Sequence, residues 1–285
     1  WTSAPILAEG AGALLFLVLF VFVEKRQTRP MVDFSFFRRP TYLGANIAQF
    51  TFAAGLLTML TFMPIYFQHA LGLSPRAAGL AMLPMALPLF IVPRIVSSQL
   101  SHRLSGRVLL TAGLGLVSAG LGFVALTADN LDYRWMLAGM LVAGIGAGLL
   151  NGETTKVGMT VIPAERAGMA SGVSGTMRFT GIVLGFAALG VILFSRISAV
   201  ITASLPALDD SVRSGLIRDV ASGDLSGSGI ASASSTALHA LALKSFAEGY
   251  TALFAASAVL CLIAALLCWR LVRASDTPPI AKRGA

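Results

Sequence analysis

The sequence predicts an all-α integral membrane protein of about seven transmembrane helices, and two observations carry that prediction. Of the 285 residues, 56% are hydrophobic and only 12% charged, with a mean hydropathy of +0.80. Soluble domains carry about 25% charged residues, so half the usual complement is absent. The basic residues, moreover, fall between long apolar runs rather than on one face. About 20 apolar residues at ~1.5 Å rise cross the ~30 Å hydrocarbon layer, and basic loops stay cytoplasmic. The net charge of +8 is therefore an orientation signal, and no nucleic-acid partner is expected.

The first span is residues 5–23, with Trp1 as a candidate interface anchor. No charged segment precedes it, so it does not read as a secretory signal. A chain beginning at Trp1 is expected to be a fragment whose upstream part is absent. Residues 24–40 set Lys25, Arg26, Arg29, Arg38 and Arg39 against Glu24 and Asp33, a strong cytoplasmic signal. Within them Met31, Val32, Phe34, Phe36 and Phe37 suit a short helix on the inner membrane surface.

The second span, residues 42–67, carries Asn46 and Gln49 three apart on one face. Such a pair serves either a function or a helix–helix hydrogen bond. Met59, Phe62, Met63 and Tyr66 in its outer half either line a pocket for apolar ligands or pack against neighbours. The third span, residues 76–100, contains Pro84, Pro88 and Pro93, which predict a curved or hinged helix. Residues 101–107 return inside with Arg103 and Arg107.

The fourth span is residues 108–127. The fifth, residues 135–155, has Gly144, Gly148 and Gly152 at four-residue intervals, a pattern for close helix packing. Residues 153–166 form the next inner loop, and no acidic residue is placed deep inside a span. The sixth span, about residues 167–194, carries Gly181, Gly185 and a lone arginine, Arg178. An intramembrane arginine costs ~2.5–3.5 kcal/mol on insertion scales, so Arg178 either faces a protein interior or wet cavity or snorkels to headgroups. Residues 198–245 form a long outer segment in which 210–220 suit a short amphipathic helix and 222–235 a flexible linker. The last span, residues 246–271, leads to a basic tail at 273–285.

Enzyme chemistry has no support: no serine has a His and acid constellation, and paired carboxylates are absent. His69, His102 and His239 lack metal-ligand spacing, so no metal or cofactor site is expected. Cys261 and Cys268, seven apart on one apolar helix, imply no disulfide framework.

Several segments together resemble the major facilitator superfamily, in its fourteen-span drug:proton antiporter branch. They are Glu24 through Pro30-Met31-Val32-Asp33, Phe36-Phe37-Arg38-Arg39, Pro64-Ile65-Tyr66-Phe67-Gln68, Gly72-Leu73-Ser74-Pro75 with Ala78-Gly79-Leu80, and Leu83-Pro84. Pro163, Arg166, Ala167-Gly168-Met169-Ala170-Ser171-Gly172, Arg178, Gly181 and Gly185 follow in order. The resemblance implies one linker helix (1–23), a basic cytoplasmic connector (24–40) and a C-terminal six-helix half (41–272) ending in a cytoplasmic tail (273–285). The loop 101–107 departs from the family's basic inner-loop motif by lacking its acidic residue.

The resemblance also implies proton-coupled efflux of small hydrophobic or cationic compounds across a bacterial inner membrane. The proton motive force is the energy source, and the partners are a small-molecule substrate, the bilayer and the N-terminal half of the same polypeptide. Expected cavity residues are Asn46, Gln49, Phe62, Tyr66, Gln68 and Arg178. The alternatives are an exporter of one metabolite, or a self-contained seven-span structural or assembly protein.

Overall fold

The computed structural model describes residues 4–27, 30–206, 208–225 and 235–279. Lipid offers no hydrogen-bond partner to a bare peptide group, so the spans form helices. Among the described residues, seven helical stretches are long and apolar enough to cross a membrane. They are α1 (Ala4–Arg26), the stretch made of α2 (Pro40–Thr51), a π turn (Phe52–Leu57) and α3 (Met59–His69), then α5 (Leu83–Ser98) with its following turn, α6 (Gly106–Ala128), α7 (Tyr133–Leu150) with α8 (Glu153–Met159), α9 (Ala167–Ser204) and α11 (Ser235–Leu271). The short helices α4 (Pro75–Ala81) and α10 (Asp210–Ser222) complete the set.

Side chains of α2, α6, α7 and α11 make the core, with Leu110, Leu114, Val117, Phe52, Met140 and Phe254 among its fully buried members. By contrast, α1 stands apart: Phe16 is 72% exposed, and only Glu24 is buried, accepting a 2.6 Å bond from the Val32 amide. The connectors meet at one end of the bundle. There the Thr41 hydroxyl donates to Asp276 at 2.6 Å, the Gly106 amide donates to Thr277 O at 3.1 Å, and Arg166 reaches Pro30 O at 2.9 Å. At the opposite end Tyr133 donates to Ala81 O at 3.0 Å, and Leu216, Ile217 and Val220 of α10 join the core.

Several expected boundaries move. The third span is broken at Met82: α4, capped at its start by Ser74, which accepts from the Ala77 amide, ends there, and Pro84 then opens α5, leaving only Pro88 and Pro93 inside it. The surface helix expected near residue 31 is a 3-10 turn (Phe34–Arg38) whose Phe36 and Phe37 pack edge-on against Tyr42 at 6.5 and 5.2 Å instead of facing lipid. Its cap is Asp33, whose carboxylate accepts from the Ser35 amide at 2.9 Å; hydrogen bonding from the Ser35 side chain first, and then from that amide, holds the carboxyl below its usual range. The cap's stabilisation is therefore complete above the ordinary aspartate range and is lost as pH falls below it.

The sixth span continues to Ser204, and the last begins at Ser235, so the long outer segment is mostly helix. Ile197 and Ile201, fully buried, explain the extension: packing continues past the hydrocarbon. Residues 226–234 of the expected flexible stretch lie outside the described residues.

The small residues differ in what they do. A Cβ on Gly144 would fall 2.5 Å from Met85 O, and one on Gly148 2.6 Å from Pro88 O, so α7 rests on the backbone of α5. Gly181 and Gly185 lie as closely on Phe50 O and Ala54. Gly152 departs from the packing expected of it. It has φ +90 and no atom near its missing Cβ, and it breaks the helix between α7 and α8. Asparagine tolerates positive φ better than alanine. In detergent-purified full-length protein, Gly152→Asn is expected to melt above Gly152→Ala, whereas at Gly148 both substitutions lower the melting temperature, at a cost of ~1–3 kcal/mol. Equal melting of the two Gly152 variants would contradict the backbone role.

Candidate functional site

Proline at the start of α2 presets its first turn, and the 3.6-residue period then places Tyr42, Ala45, Asn46 and Gln49 on one buried face. The break at Asn151-Gly152 turns α8 so that Thr154 and Thr155 meet α2 and α9. The Thr154 hydroxyl donates to Gln49 Oε1, and Thr155 shares a 2.7 Å hydrogen bond with Ser174 of α9. Among the described residues Asn46 is bound to its own helix, donating to Tyr42 O at 2.9 Å. The result is a polar seam through an apolar bundle, closed so tightly that its crevice has no room for a water. Gln49 Nε2 is buried there without a partner, and an unsatisfied buried donor costs ~1–3 kcal/mol.

Arg178 lies one turn beyond Ser174 on α9. The close contact of Gly181 with Phe50, and of Gly185 with Ala54, runs α9 alongside α2 in the same direction. Arg178 is therefore about 5 Å nearer the connector end than the Phe50 level. It is half-buried and makes no hydrogen bond or ion pair among the described residues. Glu153, expected in a loop, is instead a helical residue 7% exposed, paired with Lys156 at 2.8 Å at the connector end of its span.

The other three candidates sit towards the opposite end. Tyr66 is fully buried: its hydroxyl donates to Ala128 O at 2.6 Å, and its ring lies 5.3 Å from Tyr250 and 5.9 Å from Phe254. A phenol in an apolar interior needs an acceptor, and this one finds it in the core at Ala128 O. Phe62 sits at the cluster's margin, 5.3 Å from Phe186. Gln68 donates to Pro64 O within its own helix at 3.1 Å. Among the described residues the six candidates thus form two groups, one around the α2 seam and one towards the opposite end.

Sequence reasoning missed Thr154, Thr155 and Ser174. The Asn151-Gly152 dipeptide, a standard turn marker, was the signal for the break that brings the threonines inward. The π turn at Phe52–Leu57, where Ser257 donates to Gly55 O at 2.7 Å, left no mark in the sequence. Among the described residues no group of three or more His, Cys, Asp or Glu could hold a metal ion.

The chain matches the family model described as Major Facilitator Superfamily over residues 1–186. It is 37% identical over 196 residues to the methylenomycin A resistance protein of Streptomyces coelicolor, covering 68% of this chain and 41% of that protein. It is 32% identical over 221 residues to the multidrug resistance protein Stp of Mycobacterium tuberculosis, covering 77% and 41%. Over 243 residues it is 29% identical to the cephamycin export protein CmcT of Amycolatopsis lactamdurans, covering 76% and 50%. The chain thus spans half or less of the length of these curated relatives.

The seam makes a direct energetic prediction. Thr154→Val strands the Gln49 oxygen and should cost ~1–3 kcal/mol, whereas adding Gln49→Leu should recover part of the loss. Thermal melting of the two single variants and the double variant measures the coupling; strictly additive losses would show that the two side chains do not depend on each other.

Proposed function

Because the chain belongs to the Major Facilitator Superfamily, we propose that it is the C-terminal part of a proton-coupled exporter of hydrophobic or cationic compounds in a bacterial cell membrane. On this reading the cavity wall is built from α2–α3, α5 and α9, the basic connectors face the cytoplasm, and the N-terminal half of the same polypeptide completes the site. The observation that carries it is Arg178: a half-buried cation without a partner among the described residues, on a helix seated by Gly181 and Gly185. Such a charge is expensive in a bilayer and marks a functional pathway by default. The similarity to proteins named for drug resistance supports the substrate class.

The chemistry follows from the charge. A guanidinium stays protonated at any working pH, so Arg178 presents a fixed positive field to whatever carboxylate faces it across the cavity. That field favours the ionised carboxylate and lowers its pKa. Rocking one half against the other would move the carboxylate out of the field and let it take a proton, which couples proton movement to access. Asn46 and Gln49 support the wall of this site from within the seam, and Phe62 is the aromatic side chain at its outer margin.

A second reading, an exporter of one metabolite, is favoured by the similarity to a protein named for cephamycin export. Arg178→Ala in the full-length protein is expected to abolish export with membrane levels unchanged, while Arg178→Lys retains part of the activity. Normal export by the alanine variant would remove Arg178 from the mechanism. A resistance panel of unrelated lipophilic cations separates the two readings: protection against several favours the drug exporter, and protection against one compound the metabolite exporter.

A further inference from the structure

A groove of about 780 Å³ opens at the end of the bundle away from the connectors, among the ends of α6, α9 and α11. It belongs neither to the seam nor to the aromatic core. Its lining combines Asp129, Arg196, Lys244 and Glu248 with apolar Leu243 and Ala252.

The helices themselves fix its depth. Arg107 stacks on Trp269 at 4.0 Å, and both belong to the connector end. From Arg107 to Asp129 along α6 is about 33 Å, and from Trp269 back to Thr251 along α11 about 27 Å. Asp129 and Thr251 meet there in a 2.7 Å hydrogen bond. Those lengths match the ~30 Å hydrocarbon layer, so the groove lies at the level of the opposite headgroups. Lys244 and Glu248 reach one to two turns farther out, while Ala252 and Ala255 begin the apolar floor.

The charges are arranged by sign. Glu248 is shared by Arg196 at 2.8 Å and Lys244 at 4.0 Å, which leaves one positive charge uncompensated on that side. Asp129 holds a hydroxyl but pairs with no cation among the described residues. We propose that this groove seats the headgroup of a zwitterionic phospholipid with a primary ammonium, its phosphate on Arg196 and Lys244 and its ammonium on Asp129. Phosphatidylethanolamine has that chemistry. A trimethylated ammonium cannot donate to Asp129, and a phosphoglycerol headgroup carries no cation to offer it. A second copy of the chain needs a far larger contact, on the order of 1,000 Å², than a pocket of this size provides.

Native mass spectrometry of the full-length protein, titrated with phosphatidylethanolamine, phosphatidylcholine and phosphatidylglycerol, tests the assignment. Phosphatidylethanolamine should bind about tenfold tighter than either of the others. Asp129→Asn should remove its advantage over phosphatidylglycerol, and the double variant R196Q/K244Q should weaken both phospholipids. Leu243→Trp, which fills the groove with every charge intact, should block binding equally and so separates occupancy from any folding defect of the charge variants. Equal retention of the three lipids, unchanged binding to Leu243→Trp, or a lipid-free dimer that covers the groove would overturn the proposal.

Discussion

In hydrocarbon an unpaired backbone group costs several kcal/mol, and the departures from regular helix in this chain sit beside side chains that bond the carbonyls there. At the π turn the Thr58 hydroxyl donates to Ala54 O at 2.7 Å, and Ser257 crosses from α11 to Gly55 O. In α5 Pro93 has no N–H to give to Leu89 O, and the Asn151 side-chain amide donates to that carbonyl at 3.4 Å. The glycines pack against the same groups: α7 lays Gly144 and Gly148 on carbonyls of α5, and α9 lays Gly181 on Phe50 O of α2 and Gly185 on Ala54 O of the π turn.

This constraint explains the division between the two ends of the molecule. Charged and polar groups that cannot enter the apolar interior collect where the helices end, in the connector belt around Thr41, Arg107 and Asp276 and in the opposite belt around Asp129, Arg196 and Glu248. Between the belts stay the threonine–glutamine seam and Arg178. The seam is closed, with the Gln49 Nε2 donor left unpaired inside it; Arg178 makes no hydrogen bond to it among the described residues.

Spans, loops and their charge were legible in the sequence because hydrophobic length and basic loops report directly on the bilayer. The amphipathic pattern of residues 210–220 likewise appears as α10, with Leu216, Ile217 and Val220 turned inward. What stayed hidden depended on partners distant in the chain. Tyr66 reads as a pocket aromatic until Ala128 O supplies its acceptor, and Gly152 reads as a packing residue until its φ of +90 is seen. Thr155 and Ser174 carry no periodic signal, because a seam is made by two helices meeting and neither helix records it alone. The extension of α9 to Ser204 is similar: Ile197 and Ile201 are buried by neighbours that a window of local hydropathy does not contain.

The most direct test of the account is which side of the membrane each belt occupies. Ser35 in the connector belt and Ser214 on α10 are both exposed, and the native Cys261 and Cys268 are buried. Cysteines introduced singly at Ser35 and Ser214 of the full-length protein, treated in intact cells with a membrane-impermeant maleimide, should react at position 214 and stay protected at position 35 until the membrane is permeabilised. Labelling of both positions in intact cells, or of position 35 alone, would contradict the threading on which the seam, Arg178 and the groove all rest.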